Sequence, residues 1–171
     1  PEGILIVTGP TGSGKTTTLY SLLAQVNDET VNIMTLEDPV EYPLTLMRQT
    51  SVNEVARMDF ANGIRSIMRQ DPDIILVGEL RDLDTISVAL TAAETGHLVF
   101  ATLHTQSAQD TITRVVDVFP SDQQQQVRTQ LAATLQGVVC QTLCKTADGA
   151  GRVAAVEIMV CTPGIRAMIR D

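Results

Sequence analysis

Eight consecutive residues, Gly9-Pro10-Thr11-Gly12-Ser13-Gly14-Lys15-Thr16, satisfy G-x-x-x-x-G-K-[ST]. Each required position has a physical job. Glycines let the backbone curl until its N–H groups point inward at an anion, and a following helix adds positive potential. Lys15 supplies a point charge, and the Thr16 hydroxyl can ligate magnesium. At ordinary glycine usage the two required glycines alone coincide at roughly 1 in 200 positions, before Lys and Thr are demanded. The reading is a loop for ATP and Mg2+, with Gly9, Pro10, Thr11, Gly12, Ser13, Gly14, Lys15, Thr16 and Thr17 around the phosphates and Lys15 also catalytic. Two plainer alternatives are a helix-capping turn and a loop that binds nucleotide without hydrolysing it.

Hydrolysis also needs a group that holds magnesium and one that orients the attacking water. Glu37 and Glu79 are the candidates, because each directly follows an apolar, strand-like run or its single trailing glycine. Many enzymes with this loop carry a metal-facing Asp after the corresponding strand; here that place is Gly78. Glu79 is therefore read on the metal side with Thr16, and Glu37 as the base, although the residue types alone leave the two roles exchangeable. A turn cap before Pro39 is the structural alternative for Glu37-Asp38. His97 and His104 bracket one predicted strand, which holds them roughly 23 Å apart. They cannot serve one phosphate. His104, at the carboxyl end with the acids, is the catalytic candidate; His97 reads as structural or intersubunit. Arg57, Arg65 and Arg69 could form a basic stripe, read as a solvated face or a subunit contact.

These groups meet only if the elements bring them together. Ile4 to Val7, Val31 to Leu36, Asp73 to Val77 and Leu98 to Leu103 read as buried strands. Leu19, Leu22, Leu23 and Val26 form one apolar helix stripe; Phe60, Ile64 and Ile67 form another, and Leu83, Ile86, Leu90 and Ala93 a third. Alternation of this kind predicts an α/β fold with a mainly parallel sheet, helices on both faces, and ligands at the strands' carboxyl ends. Helices at 108–118 and 122–137 are expected next, the latter keeping Val127, Leu131, Leu135 and Val138 in step, with Gln123 to Gln126 as its wet face. Strand-like runs at 138–143 and 153–160, turning at Gly149 to Gly151, complete a smaller helical and β-hairpin part.

The bulk numbers fit one globular domain over residues 1–171, with 44% hydrophobic and 19% charged residues. A formal net charge of −8 argues against a nucleic-acid partner. No run approaches the length of a membrane span, so direct membrane insertion is not expected and a cytoplasmic location is. Cys140, Cys144 and Cys161 lack zinc-site spacing and read as reduced core thiols. The start at Pro1 and the end within a helical segment suggest part of a longer chain.

Four blocks together resemble the secretion and type IV pilus motor ATPases. They are the loop extended by Thr17-Thr18-Leu19, the acidic box Thr35-Leu36-Glu37-Asp38-Pro39-Val40-Glu41, the stretch Arg69 through Asp82, and Thr95-Gly96-His97-Leu98 through Thr102-Leu103-His104-Thr105. Beyond them, Arg114-Val115-Val116-Asp117-Val118-Phe119-Pro120 and Gly151-Arg152-Val153-Ala154-Ala155 are similar to the twitching-motility retraction motors, the PilT family. Gly164 to Asp171 resembles the retraction signature A-I-R-N-L-I-R-E but departs at Gly164, Ala167, Met168 and Asp171.

The resemblance implies a P-loop NTPase (RecA/AAA-like) core in an ATPase that powers pilus retraction and works as a homo-hexamer. It further implies an inner-membrane platform protein as partner, a cytoplasmic site peripheral to that membrane, and arginines from an amino-terminal domain. The alternatives are a pilus-assembly or type II secretion motor, and a nucleotide switch without turnover.

Overall fold

The computed structural model describes residues 2–53 and 58–171. Along the chain run β1 (Gly3–Thr8), α1 (Lys15–Val26), β2 (Ile33–Glu37), β3 (Met47–Ser51), α2 (Phe60–Ile67), β4 (Ile74–Val77) and α3 (Leu83–Glu94). Then follow β5 (Leu98–Leu103), α4 (Ala108–Asp117), α5 (Gln124–Thr134), β6 (Leu135–Lys145), β7 (Arg152–Val160) and α6 (Pro163–Arg170). Among the described residues the strands form one seven-stranded sheet, ordered β3-β2-β4-β5-β1-β6-β7. All neighbours are parallel except β6 and β7.

Central strands are apolar throughout because both faces are covered, and successive side chains go to opposite layers. On one face Val7, Ile33, Leu76 and Phe100 pack with Leu19 and Leu23 of α1. On the other, Ile6, Met34, Ile75 and Val99 pack with Ile64 of α2, Ile86 of α3, Val115 of α4, Leu131 of α5 and Ile169 of α6. The expected stripes therefore lie where the spacing puts them, save that Val26 at the end of α1 is 39% exposed.

Two elements differ from the sequence expectation. The helix read as 122–137 ends at Thr134, where Leu135 turns extended (φ −64, ψ 123) and begins β6. Leu135 and Val138 are fully buried, so a strand covered on both faces copies the helical spacing. Strand β3 has no apolar run to announce it; it is a half-buried edge strand paired only to β2. The expected carboxyl-terminal hairpin is present as β6 and β7, and it joins the main sheet through β1–β6 pairing.

Parallel register aligns the carboxyl ends of the strands. Thr8 of β1 lies beside Leu103 of β5 and Cys140 of β6, and Leu36 of β2 lies beside Val77 of β4. Residues 9, 37, 78–79, 104 and 141 therefore emerge along one edge.

Candidate phosphate-binding and catalytic site

The loop after β1 takes its shape from three glycines at positive φ: Gly9 (144), Gly12 (76) and Gly14 (88). Gly9 is also sterically required, since a Cβ there would stand 2.1 Å from the Gln141 carbonyl oxygen. Ser13 N–H closes a turn onto Pro10 O at 3.1 Å, and Thr18 N–H reaches Gly14 O at 3.0 Å to start α1. No side chain caps α1 or α5, whereas Asp59, Asp82, Ser107 and Thr162 cap α2, α3, α4 and α6. The first N–H groups of α1 thus keep their donors for something outside the helix.

Lys15 folds back across the loop mouth. Its Nζ donates to Gly9 O (2.9 Å) and Pro10 O (3.2 Å) and stands 3.3 Å from His104 Nδ1. The other ring nitrogen, Nε2, lies 3.2 Å from Glu79 Oε1. A neutral imidazole protonated on Nε2 satisfies both contacts, accepting from Lys15 and donating to Glu79. Partial burial lowers the Lys15 pKa, and the Glu79 charge opposes that shift. Glu79, 25% exposed, also accepts from Arg81 Nε at 2.6 Å, and Arg81 reaches Asp38 at 3.0 Å. Arg81 rests over the Phe60 ring, 5.6 Å from its centroid. Glu79, read on the metal side, is thus tied to Lys15 through His104.

Glu37 sits apart from that chain. Its carboxylate is only 4% exposed and accepts from the Tyr20 hydroxyl, from Thr35 Oγ1 at 2.5 Å and from Gln49 Nε2 at 3.4 Å. Burial first, then the Glu37 hydrogen bond and charge, pushes the Tyr20 phenol well above its usual range. Glu37 and Thr16 line one 80 Å³ cavity with Asp38, Gly78 and Thr102. At Gly78, the place where many enzymes with this loop carry an Asp, β2 and β4 converge closely: a Cβ would lie 3.1 Å from both Glu37 Cα and Leu36 O. Thr102 Oγ1 fastens the same tips by donating to Gly78 O at 2.5 Å.

The remaining loop positions follow. Pro10, Thr11, Gly12 and Thr17 are exposed, while Ser13 is buried with a hydroxyl that has no hydrogen-bond partner among the described residues. Beside Pro10, on the β6 side, a 440 Å³ cavity is lined by Gln106, Cys140, Gln141 and Glu157. His97 lies at the opposite end of β5, contacting Ala92 O at 3.0 Å and lining a cavity with Asp71 and Asp73. Arg65 and Arg69 are exposed, and Arg57 lies outside the described residues. Among the cysteines, Cys140 and Cys161 are buried but Cys144 is exposed, so it is not a core thiol.

Sequence reasoning missed Arg81, Tyr20 and Gln49, all of which grip the two acids. Only Arg81 carried a signal, two residues after Glu79 and so on the same side of an extended chain.

A parallel sheet with the G-x-x-x-x-G-K-T loop leading from β1 into α1, and with the second-acid strand β4 separated from β1 by β5, defines a P-loop NTPase fold. Within that class the chain belongs to the Type II/IV secretion system protein family, whose model matches residues 1–167. It is 54% identical to the type IV pilus retraction ATPase PilT of Pseudomonas aeruginosa, covering 100% of this chain and 51% of that protein. A twitching motility protein of Neisseria gonorrhoeae is 48% identical over 100% of this chain and 47% of its own length. A crystal structure of the pilus retraction motor PilT with bound ADP superposes at a TM-score of 0.93 with 48% identity, covering 99% of this chain and 50% of that one. The chain spans about half the length of the curated relatives it matches. Among the described residues, no helix is long and apolar enough to cross a membrane.

Proposed function

We propose that this chain is the ATP-hydrolysing core of a motor that powers type IV pilus retraction. The observation that carries the reading is the convergence of His104 and Glu79, from two other strand ends, on Lys15 of the phosphate loop. Similarity to PilT supplies the load being moved.

The residues fit a bound triphosphate. Three glycines at positive φ shape the loop, the Ser13 hydroxyl is buried without a partner among the described residues, and α1 begins uncapped. Lys15 would exchange its two carbonyl contacts for phosphate oxygens, while His104 passes the state of that contact to Glu79. Thr16 and Glu79 would hold magnesium, which supplies charge neutralisation during phosphoryl transfer. Among the described residues no three His, Cys, Asp or Glu side chains could hold a metal, so phosphate oxygens and water would complete its shell. Glu37 would orient and deprotonate the attacking water from the cavity it shares with Thr16. The cavity beside Pro10 gives the nucleoside end room on the side away from His104.

Residues 1–171 act in this reading as one domain of a longer protein. That protein assembles as a homo-hexamer on the cytoplasmic side and engages an inner-membrane platform protein; it is not expected to bind nucleic acid. Phosphate release by the full-length protein tests the proposal. Steady, magnesium-dependent turnover that Lys15→Ala abolishes is the expected result. ATP binding with no turnover above that variant would make the chain a switch and end the motor reading.

A further inference from the structure

Gln141 lies 128 positions after Ser13 in sequence, on β6, yet its amide reaches the phosphate loop and the start of α1. Nε2 donates to Ser13 O at 2.6 Å, and Oε1 accepts from Thr18 Oγ1 at 2.8 Å on the first turn of α1. The residue is 3% exposed, and its own carbonyl oxygen is the atom that excludes a Cβ at Gly9. A Cβ at Gly14 would meet Nε2 at 3.3 Å. One residue therefore borders both arms of the loop, its backbone carbonyl at Gly9 and its side chain at Ser13 and Gly14, and its amide also holds the helix that follows.

Pinning the Ser13 carbonyl has a necessary effect on the next amide. In a planar trans peptide the C=O and the following N–H point in opposite directions. With Ser13 O drawn toward β6, the Gly14 N–H faces away from β6, and in this sheet the strand on that far side of β1 is β5, which leads to His104. Released, the Ser13–Gly14 peptide could rotate, since Gly14 carries no Cβ to resist, and a carbonyl oxygen turned inward would repel phosphate.

We propose that Gln141 is a positioning residue: it locks the Ser13–Gly14 peptide so that the loop presents N–H groups, not a carbonyl, to the nucleotide phosphates. The proposal rests on the nucleotide reading above. Gln141 touches no substrate; it acts through the loop. The donor Nε2–H is the decisive atom, and Thr18 serves to fix which end of the amide faces Ser13.

Gln141→Glu keeps an acceptor for Thr18 and, ionised, loses the donor for Ser13, at the cost of an added charge. Gln141→Met removes both bonds at similar volume without adding charge. In the full-length protein, titration with a fluorescent ADP analogue should give a Kd about tenfold higher for each variant, the size expected from leaving one buried carbonyl unpaired. KM for ATP should rise in parallel while kcat at saturation stays near wild type, a split that general loosening of the fold would not produce. Thr18→Val, which leaves the Ser13 bond, should show a smaller loss. Wild-type affinity and KM in Gln141→Glu would overturn the proposal, and so would a failure of both Gln141 variants to fold, which would make the residue a strut of the sheet. If the wild-type protein and Lys15→Ala bind the analogue equally poorly, the nucleotide reading falls instead.

Discussion

Replacing Glu37 by Gln separates the base role proposed for it from its structural role. The side chain is a buried acceptor for Tyr20, Thr35 and Gln49. An amide can keep its oxygen toward Thr35 and Gln49 and turn its NH2 toward Tyr20, whose hydroxyl has lone pairs to accept. What is lost is charge assistance in these bonds and the acceptor for the Tyr20 proton. Set against the gap between charged and neutral hydrogen bonds, that costs about 2 kcal/mol of stability. A domain with roughly 5–15 kcal/mol in hand stays folded. If Glu37 is the base, an amide that cannot take a proton should lower turnover by about 100- to 10,000-fold, or about 3–5 kcal/mol of barrier. The assay is phosphate release at saturating ATP, with nucleotide affinity and thermal midpoint measured on the same sample. Near-normal turnover would refute the argument and move the base role to Glu79. Parallel collapse of affinity and midpoint would show that Glu37 is a structural acceptor only.

The two histidines give a second test. His104→Ala breaks the link between Lys15 and Glu79 and should lower turnover about tenfold or more, while His97→Ala at the far end of β5 should leave it within about twofold; equal rates would refute the separation of roles. Tyr20 gives a third, read as stability against pH. Its phenol is raised above the ordinary 10.0, so its contribution is complete below that pH and is lost as pH climbs above it. Wild type should lose up to about 1.4 kcal/mol per pH unit above about pH 10 relative to Tyr20→Phe, measured by urea midpoints, and equal alkaline slopes would contradict the burial argument.

The sequence alone determined the glycine-rich loop after β1, the four buried strands and the strand ends that carry Glu37, Glu79 and His104. These features are local: glycine at fixed spacing, continuous apolar runs, and an acid or a histidine just after three of them are complete within about ten residues. Local spacing could not tell the buried β6 segment at Leu135 and Val138 from a continued α5, nor reveal β3, whose existence depends on pairing with β2. Only the tertiary structure decided that Glu37 would be enclosed by Tyr20 and Gln49 while Glu79 joined His104 and Lys15. It also decided that Gln141 would clasp a loop formed at the other end of the chain. Sheet register sets those pairings, and register is fixed by burying both faces of the whole sheet at once, a condition no short window of residues contains.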